Sequence, residues 1–208
     1  MDVLLPFCYF GNVEFYSHLF QHQSYIELHE NMPKRTERNR CLIKSSQGIQ
    51  KLIVPLKRGT HSGPFLEVEI SDAEDWKGNH LKSLVSNYNS SPFFSYFEME
   101  IRAFYAQEYL TLFDLNQAAH QLIGQLLNQS LHLDFTKSYQ KDFEQGLDRR
   151  ADFKSSQFEA RFQCPEYPQT FEEKLPYHPH LSILDLLFNE GPAAITYLKN
   201  NPFKHGNS

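Results

Sequence analysis

The stretch Leu181-Ser182-Ile183-Leu184-Asp185-Leu186-Leu187-Phe188-Asn189-Glu190-Gly191-Pro192 constrains the fold most, because polar side chains interrupt an apolar run that Gly-Pro then stops. On a helical period, Leu181, Leu184, Leu187 and Phe188 share one face, and Ser182, Asp185 and Asn189 line another. Such a helix is buried, so its polar face needs partners, since an uncompensated carboxylate in apolar surroundings is costly. Two readings of Asp185 stand side by side. In one, Ser182-x-x-Asp185 is a capping box, with the hydroxyl on an early helical N–H and the carboxylate on the N–H of the cap residue. In the other, Asp185 and Asn189, with Ser182 beside them, face a ligand.

The remaining elements indicate an α/β fold in a single domain over residues 1–208, with a flexible tail from about residue 200. Met1 to Leu5 reads as a strand, Pro6 to Gly11 as a turn, Asn12 to Gln23 as a helix and Tyr25 to Leu28 as a second strand. If these strands are parallel, the turn lies outside a carboxyl end, where open α/β sheets place ligands. Asn39 to Ser45 and Ile49 to Leu56 form a hairpin around Ser46-Gln47-Gly48, and Phe65 to Ile70 is a further strand. Ser71-x-x-Glu74 is expected to cap a helix that buries Leu81, Leu84, Val85 and Tyr88. Ser91-Pro92 supplies a cap and first-turn proline for a helix with Phe94, Phe97, Ile101 and Phe104 in register. Thr111-x-x-Asp114 opens a third helix, with Ala119, Leu122, Ile123 and Leu126 inward. Strands are expected at Leu131 to Phe135 and Phe158 to Cys164, a mobile polar loop at Lys141 to Gln157, and an irregular segment from Cys164 to His180. The whole reads as a mixed β-sheet with a β-α-β opening, a hairpin and several packed helices.

Composition narrows the function classes. A net charge of -5 gives no reason to expect a nucleic-acid partner. The three cysteines, Cys8, Cys41 and Cys164, are odd in number and scattered, which favours a reducing, cytoplasmic setting over a disulfide framework. No apolar run reaches the roughly 18 residues of a transmembrane helix. The common phosphate-loop motifs are absent, and no cofactor is called for. The 18 Phe and 11 Tyr point to a core filled by rings or to a sugar-stacking surface.

The Leu181–Pro192 segment, with Ala193-Ala194-Ile195-Thr196-Tyr197-Leu198, resembles the C-terminal signature of the WbqC-like proteins. Arg38-Asn39-Arg40, Ile53-Val54-Pro55-Leu56-Lys57, the block from Asp75 to Leu84, and Tyr88 through Phe94 recur in that order in the family. The chain departs where many members carry Gln-Pro-Tyr, having Leu5-Pro6-Phe7, and it lacks the glycine-containing α/β segment of longer members. The resemblance implies a bacterial protein of surface-polysaccharide (O-antigen) biosynthesis. Through the glycyl or related small acyl transfer suggested for some members, it implies a transferase acting on an amino sugar. The rival is a non-catalytic protein of the same pathway that binds a glycan or nucleotide sugar. The oligomeric state, monomer or homodimer, stays open.

Three constellations carry candidate chemistry. With Arg40 expected opposite Val54 and Arg38 opposite Leu56, the cations Arg38, Arg40, Lys57 and Arg58 gather at the open end of the hairpin. They would hold an anionic substrate, or be a solvated cluster neutralised by Glu37, Glu67 or Glu69. Trp76 and His80 lie one turn apart on the first central helix: His80 as a general base, with Trp76 stacking on a sugar, or both as packing residues. Asp185, with Ser182 and Asn189, would orient a polar group of the substrate. The spacings His18/His22 and His178/His180 lack a third ligand, so no metal is expected, and the former reads as a solvated pair.

Overall fold

A computed structural model describes residues 1–154 and 165–200; the expected strand from Phe158 to Cys164 and the tail lie outside them. The opening unit is β1 (Asp2–Pro6), α1 (Val13–Gln21) and β2 (Gln23–Glu27), the strands pairing parallel from Asp2↔Gln23 to Pro6↔Glu27. Val3, Leu4 and Leu5 are all fully buried, as a parallel strand covered on both faces requires. Asn12 starts α1 by accepting from the Phe15 N–H at 2.9 Å, and its amide donates to Glu37 at 3.3 Å.

The hairpin forms one residue out of the expected register. β3 (Arg40–Ser45) and β4 (Gly48–Ile53) pair from Arg40↔Ile53 to Ser45↔Gly48. The turn is therefore the two residues Ser46 and Gln47. The Ser45 hydroxyl closes it, accepting from the Gln47 N–H and donating to the Gly48 carbonyl at 2.9 Å, and Gly48 supplies φ +119°. Phe65 to Ile70 is not a strand. Phe65–Glu67 is a 3₁₀ turn because Phe65 and Val68, three apart, are the residues that must reach the core.

Three helices follow, α2 (Trp76–Tyr88), α3 (Phe94–Tyr105) and α4 (Leu112–Leu126). Asp75, not Ser71, caps α2, accepting from the Gly78 N–H at 2.9 Å; Ser71 only closes a local turn. The expected Ser91 cap of α3 is replaced by Phe93, whose N–H bonds the Phe188 carbonyl at 3.0 Å. α4 has the capping box read from Thr111 and Asp114.

β5 (Asp134–Phe135) and β6 (Gly146–Asp148) complete a four-stranded parallel sheet in the order β5-β2-β1-β6, separate from the antiparallel hairpin. β6 falls in the segment expected to be a polar loop. Its docking on β1 needs glycine, since a Cβ at Gly146 would sit 1.9 Å from the Asp2 carbonyl oxygen. α5 (Ile183–Glu190) and α6 (Ala194–Asn200) close the described chain, and every α5 residue up to Asn189 is buried. The architecture is mixed α/β, with one apolar cluster running from Val3 to Leu198 through all these layers.

Candidate functional site

The carboxyl ends of the parallel strands are filled rather than open. Phe7, Tyr9 and Phe10 from the β1 exit loop are buried there, and the Asn116 amide pins the loop through the Phe7 and Arg38 carbonyls, both at 2.9 Å. Charges at this edge neutralise one another. Arg150 grips Asp148 with Nε at 3.0 Å and approaches Glu27 at 3.6 Å, while Glu27 also accepts from the His29 and Gln140 N–H groups. Sequence reasoning missed this network because its second half lies in the segment set aside as a mobile loop.

Of the four cations expected at the hairpin end, Arg38 and Lys57 have carboxylate partners of their own. Arg38 is buried, its guanidinium paired with Glu30 and bonded to the Thr36 hydroxyl at 2.6 Å. Lys57 is exposed and pairs with Glu69 at 2.6 Å, and Arg58 is exposed. Of the acids expected to neutralise the group, Glu37 is instead buried beside Glu14, and burial pushes its carboxyl up to about 8. Arg40 is half-buried; its pKa is lowered by burial and by the charge of Arg35, the cation that faces it in place of Arg38.

His80 is buried, with Nε2 3.1 Å from the Ile53 carbonyl and Nδ1 3.1 Å from the Tyr9 hydroxyl. A carbonyl can only accept, so Nε2 carries the hydrogen and Nδ1 accepts from Tyr9. Tyr9 in turn accepts from Tyr105 at 2.8 Å. Burial lowers the His80 pKa to about 4. Trp76 is buried edge-on against His80 and Tyr105 and presents no stacking surface. His18 is buried as well, 3.4 Å from His22 and 3.8 Å from Glu14, so the two are not a solvated pair.

The polar face of α5 resolves differently from either expectation taken alone. Ser182 caps the helix: its hydroxyl accepts from the Leu184 N–H and donates to the Phe10 carbonyl at 2.8 Å. Its own N–H bonds the Leu42 carbonyl, so no capping box forms with Asp185. The Asp185 carboxylate accepts from the Tyr88 hydroxyl at 2.7 Å and the Tyr167 hydroxyl at 2.9 Å. Burial raises its pKa to about 6, against the lowering effects of the two hydroxyls and of Lys44. Lys44, itself buried, donates to Gln169 at 3.1 Å and the Pro176 carbonyl at 3.0 Å. Asn189 donates to the Asp185 carbonyl at 2.7 Å and lines a cavity of about 390 Å³ with Ser91, Gln169, Thr170 and Glu172. Among the described residues, Ser91 Oγ and Thr170 Oγ1 have no hydrogen-bond partner. Lys44, Tyr167, Gln169 and Ser91 were not read from the sequence as site residues. A lysine inside the apolar strand Cys41-Leu42-Ile43-Lys44 was the available signal, since a buried ammonium needs a partner.

The site is thus a polar cavity beside α5 in an α/β fold, to which the buried Asp185 is tied through Asn189 and the buried Lys44 through Gln169. The chain matches the WbqC-like protein family over residues 8–152 and 143–197, and it belongs to that family. No curated protein and no solved structure matches it. Among the described residues no helix is long and apolar enough to cross a membrane, and no group of three or more His, Cys, Asp or Glu is arranged to hold a metal ion.

Proposed function

We propose that this WbqC-like protein serves bacterial surface-polysaccharide biosynthesis by recognising an anionic or sugar-containing small molecule in the cavity beside α5, without proton transfer through His80. The engagement of both His80 ring nitrogens carries this reading. A base that deprotonates an attacking amine needs a free lone pair facing it. Here the lone pair is taken by Tyr9, and protonation is held down to about 4. His80 also sits eight residues from Tyr88 on α2, about 12 Å of helical rise, so it is remote from the Asp185 network that Tyr88 joins. The α5 cavity offers Asn189, Ser91 and Gln169 as polar contacts, with Asn189 held by the Asp185 carbonyl and Gln169 by the Lys44 ammonium. A thermal-shift screen of nucleotide sugars, amino acids and acyl donors tests the reading. At least one sugar ligand should raise the melting temperature of the wild type and not that of Asn189→Ala; equal shifts in both proteins would refute it.

A second reading keeps transfer of a small acyl or aminoacyl group, glycyl among them, to an amino sugar. It is favoured by Asn189, which lines the cavity and is held by the Asp185 backbone carbonyl; Asp185, buried with both carboxylate oxygens on tyrosine hydroxyls, would position Asn189 and exchange no proton itself. Mass spectrometry of amino sugars incubated with activated amino acids distinguishes the two readings, because only transfer leaves a product heavier by the acyl group.

A further inference from the structure

We propose that the open groove between the hairpin tip and α2 binds a polyhydroxylated ligand of the hexose class, with Lys82 placed for a single phosphate. The groove encloses about 640 Å³, within the roughly 300 to 1,000 Å³ of small-molecule sites. Its floor is a fixed ladder of neutral polar groups. Gln50 Nε2 donates to the Ser83 hydroxyl at 2.9 Å, and Gln50 Oε1 accepts from Asn87 at 3.2 Å. Ser83 donates onward to the Asn79 carbonyl at 2.8 Å, and Asn87 also donates to the Ser83 carbonyl at 2.8 Å. These bonds hold both amides in one orientation while leaving the second Gln50 hydrogen and the Asn87 carbonyl oxygen unspent.

Around this floor stand the exposed side chains of Ser46, Ser86 and Lys82, with the side of Ile49 as an apolar wall. Neighbouring hydroxyls of a sugar each donate and accept, and alternating amide and hydroxyl groups answer both needs. Among the described residues no carboxylate lines the groove, which argues against a cationic ligand, and no aromatic ring lines it as a platform for a nucleobase. Lys82 is the one cation among them, suited to a phosphate as a point charge. The C-terminal end of α2 separates this groove from the α5 cavity, since Asn87 lines one and Ser91 the other. The inference therefore stands apart from the function proposed above.

The test is a titration of the full chain, followed by backbone amide NMR, with methyl glucoside, glucose 1-phosphate and inorganic phosphate. Both sugars should shift the amides of residues 46–50 and 82–87, with glucose 1-phosphate bound more tightly. Lys82→Gln should remove that advantage alone. Gln50→Ala should weaken both sugars about tenfold, the size of one net hydrogen bond. Ser86→Tyr, an exposed change that fills the groove, should abolish binding with the fold intact. Absence of shifts up to the solubility of either sugar overturns the proposal, as does a Ser86→Tyr variant that binds normally. Inorganic phosphate reproducing the whole pattern overturns it too, reducing the site to a lone cation contact. If Asn189→Ala removes the shifts, they report the α5 cavity, and this proposal fails while the earlier one survives.

Discussion

Asp185 offers the sharpest test, because its environment fixes both the sign and the size of the effect. Its side chain is fully buried, its pKa is raised from 3.8 to about 6, and two tyrosine hydroxyls donate to it. A carboxyl with a raised folded pKa contributes stability that is fully present below its unfolded value and is lost as pH rises through the folded one. A shift of about two units corresponds to about 3 kcal/mol, lost between pH 4 and pH 7. Asp185→Asn removes that dependence. At pH 7 the amide escapes the net cost of charging the buried carboxyl, about 3 kcal/mol, in which the two tyrosine bonds are already counted. The variant should therefore gain on the wild type by about 3 kcal/mol as the pH rises from 4 to 7. Asp185→Ala strands two buried hydroxyls, at about 1 to 3 kcal/mol each, and should cost about 3 to 5 kcal/mol at pH 4, where the carboxyl is uncharged. Urea denaturation of the three proteins at several pH values measures this, other titrating groups cancelling in the differences. An alanine cost of only about 0.5 to 2 kcal/mol, the scale of a lost cap, with no pH-dependent gap for asparagine, would refute the reasoning.

The remaining expectations concern groups whose partners are now known. His80 is held at about 4, so its contribution is present above the ordinary 6.5 and lost as the pH falls toward 4, about 3 kcal/mol; urea unfolding of His80→Asn at pH 7 and pH 4.5 should show much of that acid sensitivity gone, and unchanged sensitivity contradicts the assignment. Arg38→Ala strands Glu30 and should cost about 3 to 5 kcal/mol by chemical denaturation, whereas Lys57→Ala, with its exposed pair, should leave the midpoint where it was. Gly146→Ala forces β6 off the Asp2 carbonyl and should lower the melting temperature by the equivalent of about 1 to 3 kcal/mol, with amide exchange quickened at residues 146–148; an unaltered exchange pattern counts against the β1–β6 pairing.

Much of the fold was legible because local signals and burial agreed. Val3 to Leu5 is uninterrupted and apolar, Asn12 and Thr111 are good caps, and α4 places Ala119 and Ile123 three-to-four apart, so β1, α1 and α4 emerged near their observed bounds. The failures have physical causes. A hydroxyl at Ser45 that bonds across the turn shortened the loop and slid the hairpin by one residue. β6 was invisible because three residues among polar neighbours carry no period, and only the Asp2 backbone explains the need for Gly146. At the site, the burial of Asp185 was readable from its apolar run, but its partners come from Tyr88 and Tyr167, and Lys44 lies beyond them. No spacing rule links residues 97 and 18 positions from Asp185. Of the cations expected at the hairpin end, Arg38 and Lys57 are paired with Glu30 and Glu69; Glu69 was among the acids the sequence offered, whereas nothing local marked Glu30, eight residues before Arg38.

The central claim is that ligand recognition runs through the α5 cavity and not through His80. Isothermal titration calorimetry tests it most directly, using the sugar ligand that most stabilises the wild type, against Asn189→Ala and His80→Asn. The account predicts at least a tenfold loss of affinity for Asn189→Ala, equivalent to about 1.4 kcal/mol, and unchanged affinity for folded His80→Asn. Normal binding by Asn189→Ala, with binding lost in a well-folded His80→Asn, would contradict it.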